Sequence, residues 1–190
     1  MDMTIFAGSS NVALAEAVAE KLELRLGNRT LQRFRDSELH IELHDSIRGH
    51  DVYLIQSTSL PVDEHPMELL FLADACRRAG AAQLTAVVPY FGYARQDRRA
   101  SGQEPVGARL VADMLKTSGL QRLVAVDLHS TALEGFFSIP LEHLSAVPLL
   151  AQAVRPLVTA HTVIVAPDLG AVKLAERYGK LLRCPPGHCA

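Results

Sequence analysis

The sequence predicts an α/β fold, a parallel sheet with helices on both faces. Three observations carry this prediction. Short apolar runs alternate with amphipathic segments of about ten to fifteen residues, the rhythm of βαβ units. Glycine or proline stands at most junctions, at Gly8, Gly49, Pro66, Gly80, Pro89, Pro105, Gly119 and Pro167. Polar and ionisable residues gather just after the apolar runs, and open parallel sheets bind ligands beyond the carboxyl ends of their strands.

Thr4 to Ala7 opens as a strand. Gly8-Ser9-Ser10-Asn11 turns it into a helix over Val12–Leu24, with Leu14, Val18 and Leu22 one turn apart. Ser10 or Asn11 can accept from its first free backbone N–H groups. Over residues 30–44 the period becomes two. Phe34, Asp36, Glu38, His40, Glu42 and His44 share one parity, and Leu39, Ile41 and Leu43 the other, which predicts a strand with one wet face. Arg48–Asp51 is a turn and Val52–Ile55 a strand. Pro66 suits the first position of a helix carrying Met67, Leu70, Ala73, Asp74 and Arg77, which Gly80 ends. Leu84–Val88 is a buried strand stopped by Pro89. Pro105 opens a helix with Leu110, Val111, Met114 and Leu115 on its apolar side, closed by Gly119. Strands follow at Leu123–Val126 and Ile139–Leu141, then a helix over 147–158 whose end Pro156 strains. A strand over Thr162–Ala166 and a helix over Ala171–Leu182 complete the pattern. Residues 184–190 read as an irregular tail.

The loops at the ligand edge are therefore 56–60, 89–99, 127–131 and 167–170. The second is the most unusual. Tyr90, Phe91 and Tyr93 surround Gly92, and Arg95, Arg98 and Arg99 follow with Gln96 and Asp97 between them. A guanidinium fork binds phosphate oxygens and stacks on rings, so this loop suits a flat anion such as a nucleotide better than a solvated surface. Asp127-x-His129 reads two ways: a histidine satisfied by a carboxylate, or oxygen and imidazole donors beside Mg2+ on substrate phosphates, with Asp168 completing the set. Phe34, Asp36 and Glu38 form either an exposed strand face or a ring with two acceptors for a base. His40, Glu42 and His44 lack a further ligand pair and make no zinc site, and Cys184, His188 and Cys189 are half of one. Neither Gly-x-Gly-x-x-Gly nor Gly-x-x-x-x-Gly-Lys-Ser/Thr occurs, so a nucleotide would bind by another mode.

In 190 residues, nineteen Lys and Arg meet twenty-one Asp and Glu, which gives no global field for nucleic acid or a membrane surface. Three widely spread cysteines argue against a disulfide scaffold and for a reducing cytoplasm. Neither a signal peptide nor a bilayer-spanning run is expected.

Together these segments resemble ribose-phosphate pyrophosphokinases from Thr4 to about Lys180. The strongest parts are Arg33-Phe34-Arg35-Asp36-Ser37-Glu38, Gln56-Ser57-Thr58-Ser59, Val88 to Arg98 and Val126-Asp127-Leu128-His129. The resemblance implies a phosphoribosyltransferase-like domain over residues 1–145 and the start of a second, similar domain over 146–183. It implies transfer of the diphosphoryl group of ATP to the 1-hydroxyl of ribose 5-phosphate with Mg2+, in a homo-oligomer, often a hexamer. Arg95 and Gln96 match an ATP-contacting pair. Phe34, Asp36 and Glu38 match residues that reach the adenine held by a neighbouring subunit. His129 and Asp168 match metal-associated positions. The family's Lys-Arg-Arg-type loop, its catalytic lysine and its ribose 5-phosphate loop lie beyond the match, and Pro-Asp-x-Gly-Gly becomes Pro167-Asp168-Leu169-Gly170-Ala171. The expectation is a partial ATP site with little or no activity in these 190 residues alone; the alternative is a non-catalytic nucleotide-binding or assembly subunit of a full-length synthetase.

Overall fold

The computed structural model describes residues 2–184 and 186–188. The chain divides into two compact units, residues 1–144 and 145–190.

The first unit is a five-stranded, wholly parallel sheet. Its strands are β1 (Met3–Ala7), β4 (Asp51–Ile55), β5 (Gln83–Val88), β6 (Arg122–Val126) and β7 (Leu141–Leu144), in that spatial order. Helix α1 (Val12–Lys21) follows β1, α2 (Glu64–Arg78) joins β4 to β5, and α3 (Gly107–Thr117) joins β5 to β6. Side chains alternate across the pleat, so each strand feeds two cores. Phe6, Val52, Leu54, Leu84, Ala86, Val88 and Leu123 pack with Leu69, Leu72 and Cys76 of α2 and Val111 and Leu115 of α3. Ile5, Ala7 and Ile55 face the other way and meet Ala15 and Ala19 of α1. The helices thus cover both faces, as the sequence predicts.

Several elements differ from expectation. The α1 stripe against the sheet is Ala15 and Ala19 with Val18, while Leu14 and Leu22 are exposed. Methyl-sized residues let the helix approach closely, and spacing alone does not reveal that preference. The expected single strand over residues 30–44 is an antiparallel hairpin of β2 (Arg29–Arg33) and β3 (Leu39–Leu43). Its turn is closed by Phe34 N donating to Glu38 O at 2.9 Å and Ser37 N to Phe34 O at 3.0 Å. Ser37 is left-handed there, at φ 74°. Alternating parity survives across such a turn, so the period alone does not reveal the reversal. Pro66 is the third residue of α2, and α3 begins two residues after Pro105. The strand expected at Ile139–Leu141 lies at Leu141–Leu144.

In the second unit, α4 (Val147–Val154) runs into a 3₁₀ turn over Arg155–Leu157, the adjustment that Pro156 forces on the helix end. Strand β8 (Ile164–Ala166) precedes α5 (Val172–Leu182). The expected irregular tail is corrected at Pro186–His188, which forms β9, parallel to β8. Cys189, which the sequence pairs with Cys184 and His188, lies outside the described residues. No helix among the described residues is long and apolar enough to cross a membrane.

Candidate active site

The carboxyl ends of β4, β5 and β6 open into a cleft of about 400 Å³ in the first unit. Its lining comes from three loops: Val62 after β4; Tyr90, Phe91, Tyr93, Ala94, Arg95 and Gln96 after β5; and Asp127, Leu128 and His129 after β6.

The loop after β5 is held from below. Thr58, fully buried, accepts from Gly92 N at 2.6 Å and donates through its hydroxyl to Tyr90 O at 3.0 Å; its own N–H reaches Tyr90 O at 2.8 Å. A side chain at position 92 would put its Cβ 2.4 Å from Thr58 O, which is why glycine stands there. Tyr93 is left-handed at φ 60°, and Gln96 N donates to Tyr93 O at 2.8 Å, closing a tight turn that presents Arg95 and Gln96. The Tyr93 hydroxyl donates to Asp63 Oδ1; that bond to a carboxylate is the main cause holding its pKa above the usual tyrosine value. Gln96 O accepts from Ala108 N at 3.2 Å at the start of α3.

After β6, Asp127 N still donates to Leu144 O at 2.9 Å, and then the chain turns out of the sheet with Asp127 at φ 43°. Leu128 N donates to Nε2 of His143 at 2.9 Å, so the loop is tied to β7 on one side. Ser130 caps the following 3₁₀ turn by accepting from Ala132 N at 3.2 Å. Asp127 and His129, both exposed, are left on the cleft wall.

A polar network lies under the neighbouring strand ends. Glu68, on α2 and 5% exposed, accepts from Ser9 Oγ at 2.6 Å and Gln56 Nε2 at 2.7 Å. Gln56 Oε1 accepts from Ser10 Oγ at 2.7 Å and Ser10 N at 3.1 Å. A Cβ on Gly8 would sit 2.0 Å from Gln56 Oε1, so only glycine lets that side chain cross. Arg29 donates to the carbonyls of Ala7 and Gly8; burial lowers its pKa, and the Glu68 charge opposes that shift. The network is closed upon itself and fixes the start of α1 against α2.

Of the residues singled out from the sequence, Arg95, Gln96, Asp127 and His129 converge on the one cleft. Phe34, Asp36 and Glu38 do not share a strand face; they occupy the β2–β3 turn, away from the cleft lining. Asp36 Oδ1 accepts from Glu38 N at 3.1 Å, and the half-exposed Phe34 ring lies 5.0 Å from that of His40. Asp168 belongs to the second unit, where its carboxylate caps a 3₁₀ turn by accepting from Ala171 N at 2.9 Å. Among the described residues no three His, Cys, Asp or Glu side chains form a metal cage. The Asp127 and His129 donors suit a hard cation that keeps water and phosphate oxygens as its other ligands. Thr58, Asp63 and Tyr93 have structural parts in this site that spacing does not announce; the one signal is a hydroxyl run directly after β4. A larger concavity of about 660 Å³, between α2, α3 and β3, is lined mainly by apolar groups such as Ile41, Leu70, Phe71 and Met114 and holds none of the predicted site residues.

The profile described as the N-terminal domain of ribose phosphate pyrophosphokinase matches residues 3–119. The chain belongs to the ribose-phosphate pyrophosphokinase family. A ribose-phosphate pyrophosphokinase of Fusobacterium nucleatum is 45% identical over 185 residues, which are 96% of this chain and 58% of that protein. One of Mesorhizobium japonicum is 47% identical over 180 residues, 94% of this chain and 58% of that protein. The crystal structure of the phosphoribosylpyrophosphate synthetase from Mycobacterium smegmatis superposes with a TM-score of 0.92 at 36% identity, covering 100% of this chain and 65% of that one. The chain thus spans about three-fifths of the length of these pyrophosphokinase relatives.

Proposed function

We propose that this chain supplies the ATP-binding half of a ribose-phosphate diphosphokinase, which transfers the diphosphoryl group of ATP to the 1-hydroxyl of ribose 5-phosphate. The observation that carries this is the convergence of Arg95, Gln96, Asp127 and His129 on one cleft at the carboxyl edge of the sheet. Arg95 offers a planar fork to phosphate oxygens, and Gln96 offers an amide that can both donate and accept. Asp127 and His129 line the same cleft and would hold Mg2+ there, and Asp168, in the second unit, is a separate metal-associated candidate. The ion supplies charge neutralisation on the transferring phosphoryl groups. The protein's task in such a transfer is mainly to position the phosphates and hold cationic donors where charge develops. Arg95 would serve both.

The exposed β2–β3 turn fits the role of reaching a neighbouring subunit's nucleotide through Phe34, Asp36 and Glu38. A homo-oligomer in the cytoplasm, without nucleic-acid or membrane partners, is the corresponding setting. Residues 1–145 then form the nucleotide domain and 146–183 the beginning of a second one.

The polypeptide of these 190 residues is expected to bind a non-hydrolysable ATP analogue with Mg2+ and to release no AMP from ATP when ribose 5-phosphate is added. AMP release that depends on ribose 5-phosphate would place the sugar site inside this polypeptide. Failure to bind the nucleotide would end the proposal.

A further inference from the structure

We propose that Thr58 is a positioning residue for nucleotide binding, acting through the loop that carries Arg95 and Gln96. This rests on the ATP-site proposal for its ligand, but not for its geometry. Tyr93 holds a left-handed conformation without being glycine, a strain that persists only where neighbours impose it. On its C-terminal side the turn is fastened by Gln96 O accepting from Ala108 N. On its N-terminal side the fastening is Thr58. Its hydroxyl is the acceptor for Gly92 N and a second donor to Tyr90 O beside the Thr58 backbone N–H, from a position with no solvent access. Loss of the hydroxyl would leave Gly92 N buried without its acceptor, and the segment Tyr90–Gly92 would move to recover one. Tyr93, though still tied through its hydroxyl to Asp63, would then lose the backbone support that holds it at φ 60°, and Arg95 and Gln96 would shift on the cleft wall with it. The Thr58 side chain itself is absent from the cleft lining, so its effect on a nucleotide must pass through this loop.

The test compares Thr58→Val, which keeps the shape and removes the hydroxyl, with Thr58→Ser, which keeps the hydroxyl. The first readout is hydrogen exchange in the peptide spanning residues 90–99, which needs no ligand. Thr58→Val is expected to speed exchange there while Thr58→Ser stays near wild type. The second readout is affinity for a non-hydrolysable ATP analogue with Mg2+. Thr58→Val is expected to weaken it about ten-fold, Thr58→Ser less than about two-fold, and Thr58→Val added to Arg95→Ala no further. Wild-type exchange in Thr58→Val, or full additivity with Arg95→Ala, would overturn the positioning role. If the unaltered protein bound no nucleotide, the ATP-site proposal would fall, and the exchange comparison would still decide whether Thr58 holds the loop.

Discussion

At the scale of single residues, the first unit spends much of its polar chemistry on holding backbone rather than on the cleft. Glu68 is the clearest case. Its carboxylate takes hydrogen bonds from Ser9 and Gln56 and lies near the half-buried Arg29. Glu68→Ala would strand buried donors and remove the charge that opposes Arg29 desolvation, so it should lower unfolding stability by about 3 kcal/mol in urea titration; a loss below about 1 kcal/mol would show that the network is not coupled to folding. Cys76 belongs with the core rather than with chemistry, because burial pushes its thiol pKa up to about 12. The residues that face the cleft are largely readable from the sequence, since Arg95, Gln96, Asp127 and His129 are polar groups in the loops that follow the apolar strands β5 and β6. The backbone-holding parts of Thr58 and Asp63 are not, because a hydroxyl or carboxylate that binds backbone or a tyrosine leaves no periodic mark.

At the scale of elements, the parallel strands and their helices follow from the sequence with shifts of a few residues, as Val52–Ile55 and Leu84–Val88 illustrate. Long-range burial on both faces of a strand gives an apolar run that is hard to mistake. The hairpin is not legible in the sequence because reversal at Phe34–Glu38 depends on Ser37 adopting φ 74°, and serine is a weak signal for that conformation. Ser37→Gly should therefore stabilise the unit by up to about 1 kcal/mol, whereas Ser37→Val should destabilise it by a similar amount. Thermal unfolding of the two variants checks this, and equal midpoints would contradict a strained turn. The α1 face is illegible for a different reason. Ala15 and Ala19 pack on Ile5 and Ala7 because the helix lies close, and helical spacing alone favours the larger Leu14 and Leu22.

At the scale of the whole molecule, the first unit carries a nucleotide-sized cleft and, at a separate place, an exposed turn with Phe34, Asp36 and Glu38. If that turn completes a neighbour's site, subunits altered at different places should rescue one another. A mixture of Phe34→Ala and Arg95→Ala proteins, unfolded and refolded together, is expected to recover part of the nucleotide binding that each lacks alone; no recovery in a mixed oligomer would confine the site to one subunit. The most direct measurement is a calorimetric titration of the purified protein with a non-hydrolysable ATP analogue and Mg2+, beside the same titration of Arg95→Ala. Saturable binding that weakens at least about ten-fold in the variant is the predicted result. Binding of equal strength in both proteins would remove the nucleotide from this cleft, and no binding in either would contradict the assignment outright.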